Sequence, residues 1–532
     1  MAATGLHHVT LITRRAQANV DFYAGFLGLR LVKRTGGFED PGQLHLFYGD
    51  AAGSPGSLVT FLVWEDGASG RTGIGQASEL GLAIDPKGLG FWLTRCLTFG
   101  VPHRMAAPEF GERCLRIADP DGIVIKLVGA TDLPAMAPWH TPDVPPEHAV
   151  RRLRGATILS DAPGNTAAFL ARYFGFRSLA IEGNTERLIS DAADVIDVGD
   201  GSGFWRGAPG TGTINHIALR APDAAALSAV SAALKASDAE VSELKDRRYF
   251  SSIYVREPAG ALIELATDGP GMTIDEKLES LGTRLFVPPN DIERAEDIRV
   301  ILPRIARPGE ERDMHPELPF VHHLYRPEDA DGSTLVLLHG TGGNETDLLP
   351  LGRRIAPSAA LLGVRGRSTE EGQLRWFRRL TATTFDQVDV RAEAEAFAEF
   401  LPEAFRSYRL DPARATFVGY SNGANFIAAF MLLNPDLVRR AALLRAMLVL
   451  DDPPAADLAG SSALMVTGRS DPYSRYAPAL NDTLRKRGAR VDARSVPAGH
   501  QLIEEDIAIL QGWIAGLHLE GRLENASRPN NQ

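Results

Sequence analysis

LHHVTLI at residues 6–12 and LRGATIL at residues 153–159 are two versions of one strand, and their likeness decides the fold of the first half of the chain. Each is followed by an apolar helical pattern, VDFYAGFLGLR at 20–30 in one and AAFLARYFGFR at 167–177 in the other. A second pair of echoes, DPDGIVIKLV at 119–128 and EPAGALIELA at 257–266, completes the pattern. The first half is therefore four copies of one module, each of about 55–65 residues, and a repeat of this length fixes an architecture before any single motif is weighed.

Each module reads as strand, helix, then three strands. In the first, the strand His8–Thr13 leads to a helix over Ala16–Leu27 closed by Gly28, and strands follow near 30–33, 43–48 and 57–64. DPDG and EPAG are hairpin turns ahead of the last strands of modules two and four. The modules differ where chemistry would sit. In this alignment His8 faces Gly155, His216 faces Gly81, and Glu264 faces Lys126 and Thr60. Only modules one and four carry ligand-type side chains, so these two are expected to pair around a metal, leaving two and three as a structural half. Two imidazoles and a carboxylate form the facial triad that holds Fe(II) with positions left open. His7 is placed behind the ligand, on the opposite face of a regular strand. His45, His103 and His140 read as surface or packing residues.

At 532 residues the chain exceeds a single core. The domains are read as 1–132 (modules one and two), 149–270 (modules three and four), 271–317 (extension and linker), 318–518 and a polar tail, 519–532. A Pro/His-rich stretch over 133–148 links modules two and three. The net charge of −11 offers no basic surface for nucleic acid. No run of 18 apolar residues spans a membrane. No secretory signal opens the sequence, and Cys96 and Cys114 are its only cysteines, so a cytoplasmic location with reduced thiols is expected. Self-association is left open.

From about residue 318 buried-type strands (334–338, 359–363, 415–419, 462–467, 489–496) alternate with helical segments (390–407, 422–434, 476–487, 504–517), the pattern of a mainly parallel sheet. Gly419-Tyr-Ser-Asn-Gly423 lies between a strand and a helix and reads as a nucleophile elbow. Asp471 and His500 follow in the order a triad needs, with Ser421 as nucleophile, His500 as base and Asp471 fixing the imidazole tautomer. Backbone N–H groups of Thr341 and Asn422 would hold the oxyanion. The domain is too short for a large lid, so an open site is expected. Arg375, Arg378 and Arg379 read as a solvated face in preference to a carboxylate contact.

The module resembles the paired βαβββ units of the vicinal-oxygen-chelate superfamily. Tyr254-Val-Arg-Glu-Pro-Ala-Gly-Ala-Leu-Ile-Glu264 is similar to the extradiol signature. LHHVTLIT, Val144-Pro-Pro-Glu-His148, Asp246-Arg-Arg-Tyr-Phe-Ser-Ser-Ile-Tyr254 and Ser280-Leu-Gly282 resemble ring-cleaving dioxygenases of the hydroquinone-specific type. This resemblance covers roughly residues 5–306. It implies Fe(II), or Mn(II), on His8, His216 and Glu264, with O2 as co-substrate and ring opening of a para-hydroquinone beside one hydroxyl. Tyr254 would hydrogen-bond the substrate oxygen and Arg247 would stabilise an oxyanion. The acid–base histidine of catechol enzymes is absent; Lys245, Asp246 and Arg247 stand there. Residues 318–518 resemble the phospholipase/carboxylesterase family, through LLHGTGGNETDLLPL at 337–351 and GVRGRSTEEGQLRWFRRL at 363–380. The sequence thus reads as four α+β modules fused to an α/β-hydrolase, a dioxygenase joined to a serine esterase acting on a small ester. The alternative is a metal-free aromatic-binding or glyoxalase-like module on a single-activity esterase.

Overall fold

The computed structural model describes residues 5–65, 67–131, 139–312 and 318–526, with side chains described as far as Leu517. The linker segments at 133–138 and 313–317 and the tail end at 527–532 lie outside the described residues. The chain forms two compact units, Met1–Glu293 with Arg304–Arg312, and Arg294–Pro303 with Asp313–Gln532.

In the first unit modules one and four share one sheet and modules two and three share another. The first sheet centres on Leu6–Thr13, antiparallel to Thr213–Ala221 of module four and parallel to Leu58–Val63 of its own module. All eight residues of Leu6–Thr13 are buried. A strand covered on both faces reads as a continuous apolar run, so the polar residues within it must be there for another reason. The second sheet repeats the plan around Gln76–Ile84 and Arg152–Ser160. Helices close each module. Pro163–Phe174 ends in the left-handed Gly175, as a helix C-terminus favours. The helix expected over Ala16–Leu27 is α-helical only through Val20; Asp21–Phe26 widens into a π-turn before Gly28 at φ +70°.

The turns join the two sheets into a closed ring. Asp119 of DPDG accepts from the N–H of Asp121 and Ile123 and, at 3.0 Å, from the Tyr23 hydroxyl of module one. Glu257 of EPAG accepts from the N–H of Ala259 and Ala261 and, at 2.6 Å, from the Thr166 hydroxyl of module three. Sheets therefore pair one with four and two with three, while turns pair one with two and three with four.

The segment read as extension and linker, 271–317, is divided between the units. Leu285–Phe286 pairs with Arg34–Thr35 at the edge of the first sheet. Ala295–Ile301 is a helix of the second unit, whose core takes Val300. Ala306 returns to the first unit, exchanging two hydrogen bonds with the Gln17 side chain.

Among the described residues, the second unit has a seven-stranded sheet, parallel except for His322–Tyr325 at one edge. Leu335 and Leu337 point into one core, Val336 and Leu338 into the other, the period of two expected of a strand. Two strands of this sheet escaped the sequence reading. His322–Tyr325 is short and half polar, and Arg440–Leu444 is an Ala/Leu run with no β-branched residue. The final helix runs over Glu504–Ala526, beyond the expected end at 517 and into the stretch read as tail.

Candidate active sites

In the first sheet the two histidines meet because their strands are neighbours. Thr10 stands opposite His216 and His8 opposite Ala218, while Ala218 stands beside Glu264 on Leu262–Pro270. His8 Nε2 and His216 Nε2 lie 3.0 and 2.8 Å from Glu264 Oε2, and 3.4 Å from each other. All three residues are buried. Among the described residues they are the cluster with the donors and spacing for a metal ion.

The donor set fits a divalent metal on two counts. Neither Glu264 oxygen has a donor in hydrogen-bonding geometry, although two imidazoles press against it. Burial pushes that carboxyl up, yet His8 and His216 more than offset it and hold Glu264 well below its ordinary range. Second, both Nδ1 positions are engaged, which leaves the Nε2 lone pairs facing the centre. His216 Nδ1 meets Asn215 Oδ1 at 2.7 Å, and His8 Nδ1 meets His7 Nδ1 at 2.9 Å. Such supports fix tautomer and ring orientation of a ligating histidine.

His7 does not take the opposite face. The pairing with Thr213–Ala221 slips between Leu6 and His8, so His7 is the extra residue of a bulge and its ring turns toward His8. Burial, with His8 beside it, lowers His7 to about 3, so it is a neutral imidazole. With its Nε2 engaged by the Thr267 carbonyl at 3.1 Å, Nδ1 is the nitrogen free to accept from His8.

Tyr254 stands directly opposite Glu264 across the hairpin. Arg247 Nη2 donates to its hydroxyl at 3.3 Å and pairs through Nη1 with the exposed Glu39 at 3.0 Å. Burial raises Tyr254, and the Glu264 charge adds to it. Phe250 walls the site against the rings of His7 and His8. His45, read as a packing or surface residue, lies on the strand Leu44–Gly49. Its Nε2 is buried without a partner, and burial lowers it to about 3, with the charges of His8 and His216 in reach. Asn215 and Phe250 were also missed; Asn215 is a residue whose only sequence signal is adjacency to His216. Thr10 and Thr60 bond each other at 2.7 Å, so their hydroxyls are engaged together.

The other sheet shows what replaces the metal, and it corrects one alignment. Gly81 pairs with Lys126 and Gly155 as Ala218 pairs with Glu264 and His8. Glu79, two residues earlier, is therefore the counterpart of His216, not Gly81. Lys126 Nζ lies 3.2 Å from Thr157 Oγ1, 3.4 Å from Glu79 and Asp197, and 3.6 Å from Glu109.

In the second unit Ser421 takes φ 52°, ψ −113°, a strained conformation that pushes its side chain out of a tight turn. The flanking glycines are steric necessities: a Cβ on Gly423 would lie 2.2 Å from the Leu338 carbonyl oxygen. Ser421 Oγ meets His500 Nε2 at 2.8 Å, and His500 Nδ1 meets Asp471 Oδ2 at 2.8 Å. His500 is 34% exposed, so the site is open to solvent. Arg445, unnoticed in the sequence, donates to the carbonyls of Gly499 and Gln501 on either side of His500, and forks onto the buried Asp506. Leu374–Trp376 ties together the loops carrying Thr341 and Asn422: the Gly342 N–H donates to the Leu374 carbonyl at 2.9 Å, and the Trp376 N–H donates to Asn422 Oδ1 at 2.8 Å. Arg378 is exposed and paired with Asp386, and Arg379 is exposed, but Arg375 is buried, against the expectation of a solvated face.

Residues 5–127 match the model of the Glyoxalase/Bleomycin resistance protein/Dioxygenase superfamily. A Bacillus subtilis (strain 168) protein named as a ring-cleaving dioxygenase, MhqO, is 37% identical over 286 residues, 53% of this chain and 91% of the relative. The chain belongs to this superfamily through its first unit. The chlorohydroquinone/hydroquinone 1,2-dioxygenase of Sphingobium indicum is 32% identical over 300 residues, 54% of this chain and 91% of the relative. The second unit matches a Bacillus subtilis (strain 168) protein named as a hydrolase, MhqD, at 36% identity over 193 residues, 36% of this chain and 96% of that protein. No helix among the described residues is long and apolar enough to cross a membrane.

Proposed function

We propose that the chain is a bifunctional enzyme, an Fe(II)-dependent ring-cleaving dioxygenase for substituted para-hydroquinones joined to a serine carboxylesterase. The observation that carries the first activity is the buried carboxylate of Glu264 with two imidazole nitrogens and no hydrogen-bond donor. In a metal-free binding module that buried charge would rest on His8 and His216 alone, whose Nε2 atoms lie close to it without forming a hydrogen bond. A ferrous ion on His8, His216 and Glu264 would supply the one-electron chemistry through which O2 reacts with the ring. Mn(II) fits the same donors. The protein groups bind and orient: Phe250 walls the ring, Tyr254 hydrogen-bonds a substrate oxygen, and Arg247 stabilises negative charge on the ring oxygens. The ring opens beside one hydroxylated carbon, and both atoms of O2 enter the product.

The second activity is carried by His500, which lies 2.8 Å from the strained Ser421 on one side and 2.8 Å from Asp471 on the other. Ser421 attacks the ester carbonyl, His500 takes its proton and passes it to the leaving alcohol, and Asp471 holds the imidazole. The N–H groups of Thr341 and Asn422 receive the oxyanion.

The test is kinetic. On iron-loaded enzyme, kcat/KM for methylhydroquinone should exceed that for catechol by about tenfold, roughly 1.4 kcal/mol in the transition state. Arg247→Ala should lower hydroquinone turnover while iron stays bound. A preference for catechol overturns the substrate assignment. For the esterase, Ser421→Ala should abolish ester cleavage and fluorophosphonate labelling, and labelling that persists points to another nucleophile.

A further inference from the structure

Two arginines among the described residues of the second unit are buried, and the contrast between them is informative. Arg445 forks onto Asp506 and donates to carbonyls besides. Arg375, 4% exposed, is left nearly unmatched. Its Nη1 donates to Thr341 Oγ1 at 3.1 Å, and its Nε has no partner. The nearest carboxylate, Glu370, stands 3.6 Å from Nε and accepts instead from the Arg379 N–H at 3.1 Å. A guanidinium carries five N–H donors in a fixed fork that matches a carboxylate. With one neutral hydrogen-bond acceptor and a carboxylate 3.6 Å from a single nitrogen, the buried guanidinium keeps donors of its fork for a further carboxylate. Its location says which. Arg375 touches the residue whose N–H receives the oxyanion, on the strand that ties the two oxyanion loops together.

We propose that Arg375 anchors a free carboxylate on the acyl side of the substrate, so that the second unit prefers short acyl groups ending in a carboxylate over neutral esters. The inference rests on the serine-hydrolase reading of this unit. The chemistry is ordinary acyl transfer: Ser421 Oγ bonds to the acyl carbon, its proton leaves with the alcohol through His500, and water then releases the diacid. Thr341 links both ends of such a substrate, its N–H facing the scissile carbonyl oxygen and its hydroxyl held by the guanidinium.

The full-length protein is assayed with para-nitrophenyl butyrate and mono-para-nitrophenyl succinate, a neutral and an anionic ester of similar size. The parent should favour the succinate by about tenfold or more in kcat/KM, as expected for hydrogen bonding to a charged group. Arg375→Met should bring the ratio of the two values toward one, and Arg375→Lys should restore part of it. Free succinate should slow fluorophosphonate labelling of the parent and not of Arg375→Met. A parent ratio at or below one, which needs no variant to read, overturns the proposal. So does a ratio that Arg375→Met leaves intact. If ester turnover survives Ser421→Ala, the hydrolase reading itself falls, and the subsite with it.

Discussion

His7 shows how one residue changes the meaning of its neighbour. A regular strand would send it away from His8; the bulge brings the two imidazoles together. The ligand-type residues themselves could be read from the sequence, because His8, His216 and Glu264 break the pattern of the repeat, and Ser421, Asp471 and His500 follow a recognisable order. Their supports could not. Asn215, Arg445 and Arg375 act through hydrogen bonds that no periodicity encodes, those of the two arginines to residues far along the chain, and Arg375 even reads as a surface charge. The supports make a prediction of their own. His7→Phe and Asn215→Ala should each weaken metal binding by about ten- to a hundredfold while leaving all three ligands in place. Competition against a chelator of known affinity measures it, and parent-like affinity in both variants would show that the Nδ1 contacts do nothing for the metal.

Among the elements, the βαβββ repeat was legible because turns, helix ends and strands recur together, as in DPDG and EPAG. What was not legible depended on long-range pairing. Leu285–Phe286 is a strand only because Arg34–Thr35 offers it an edge, and Ala295–Ile301, in a charged stretch of helical spacing, is assigned to the second unit only by the burial of Val300 in that unit's core. The DPDG turn carries a pH dependence. Burial raises Asp119 from 3.8 to about 7, although Ile123, Tyr23 and Asp121 donate to it. Between those values the folded protein holds a proton that the unfolded chain has released. Folding therefore loses stability from this group as pH rises through the window and regains it as pH falls. Asp119→Asn removes the titration. Its melting temperature should be close to the parent's at about pH 5 and should exceed it, or fall less, at about pH 8. Parallel pH curves for parent and variant would count against a buried, proton-holding Asp119.

For the molecule as a whole, each unit builds its site on its own sheet. The two activities should therefore separate cleanly. A strong chelator should remove the metal and oxygen uptake while ester hydrolysis continues. A fluorophosphonate should silence the ester site while oxygen uptake continues. Loss of both activities under either reagent would mean that the sites are coupled. Within the first unit, four modules closed into a ring generate two equivalent cups, and symmetry alone would allow two ions per chain. The second cup has Lys126 where the first has Glu264, with Glu79 in the place of His216 and Thr157 in the place of Thr10. Its ammonium stands among three carboxylates as a permanently tethered cation. The duplicated cup keeps its positive charge but takes it from the chain, so the binding isotherm of the metal should close at one equivalent per polypeptide, a number set by one lysine and not by the count of modules.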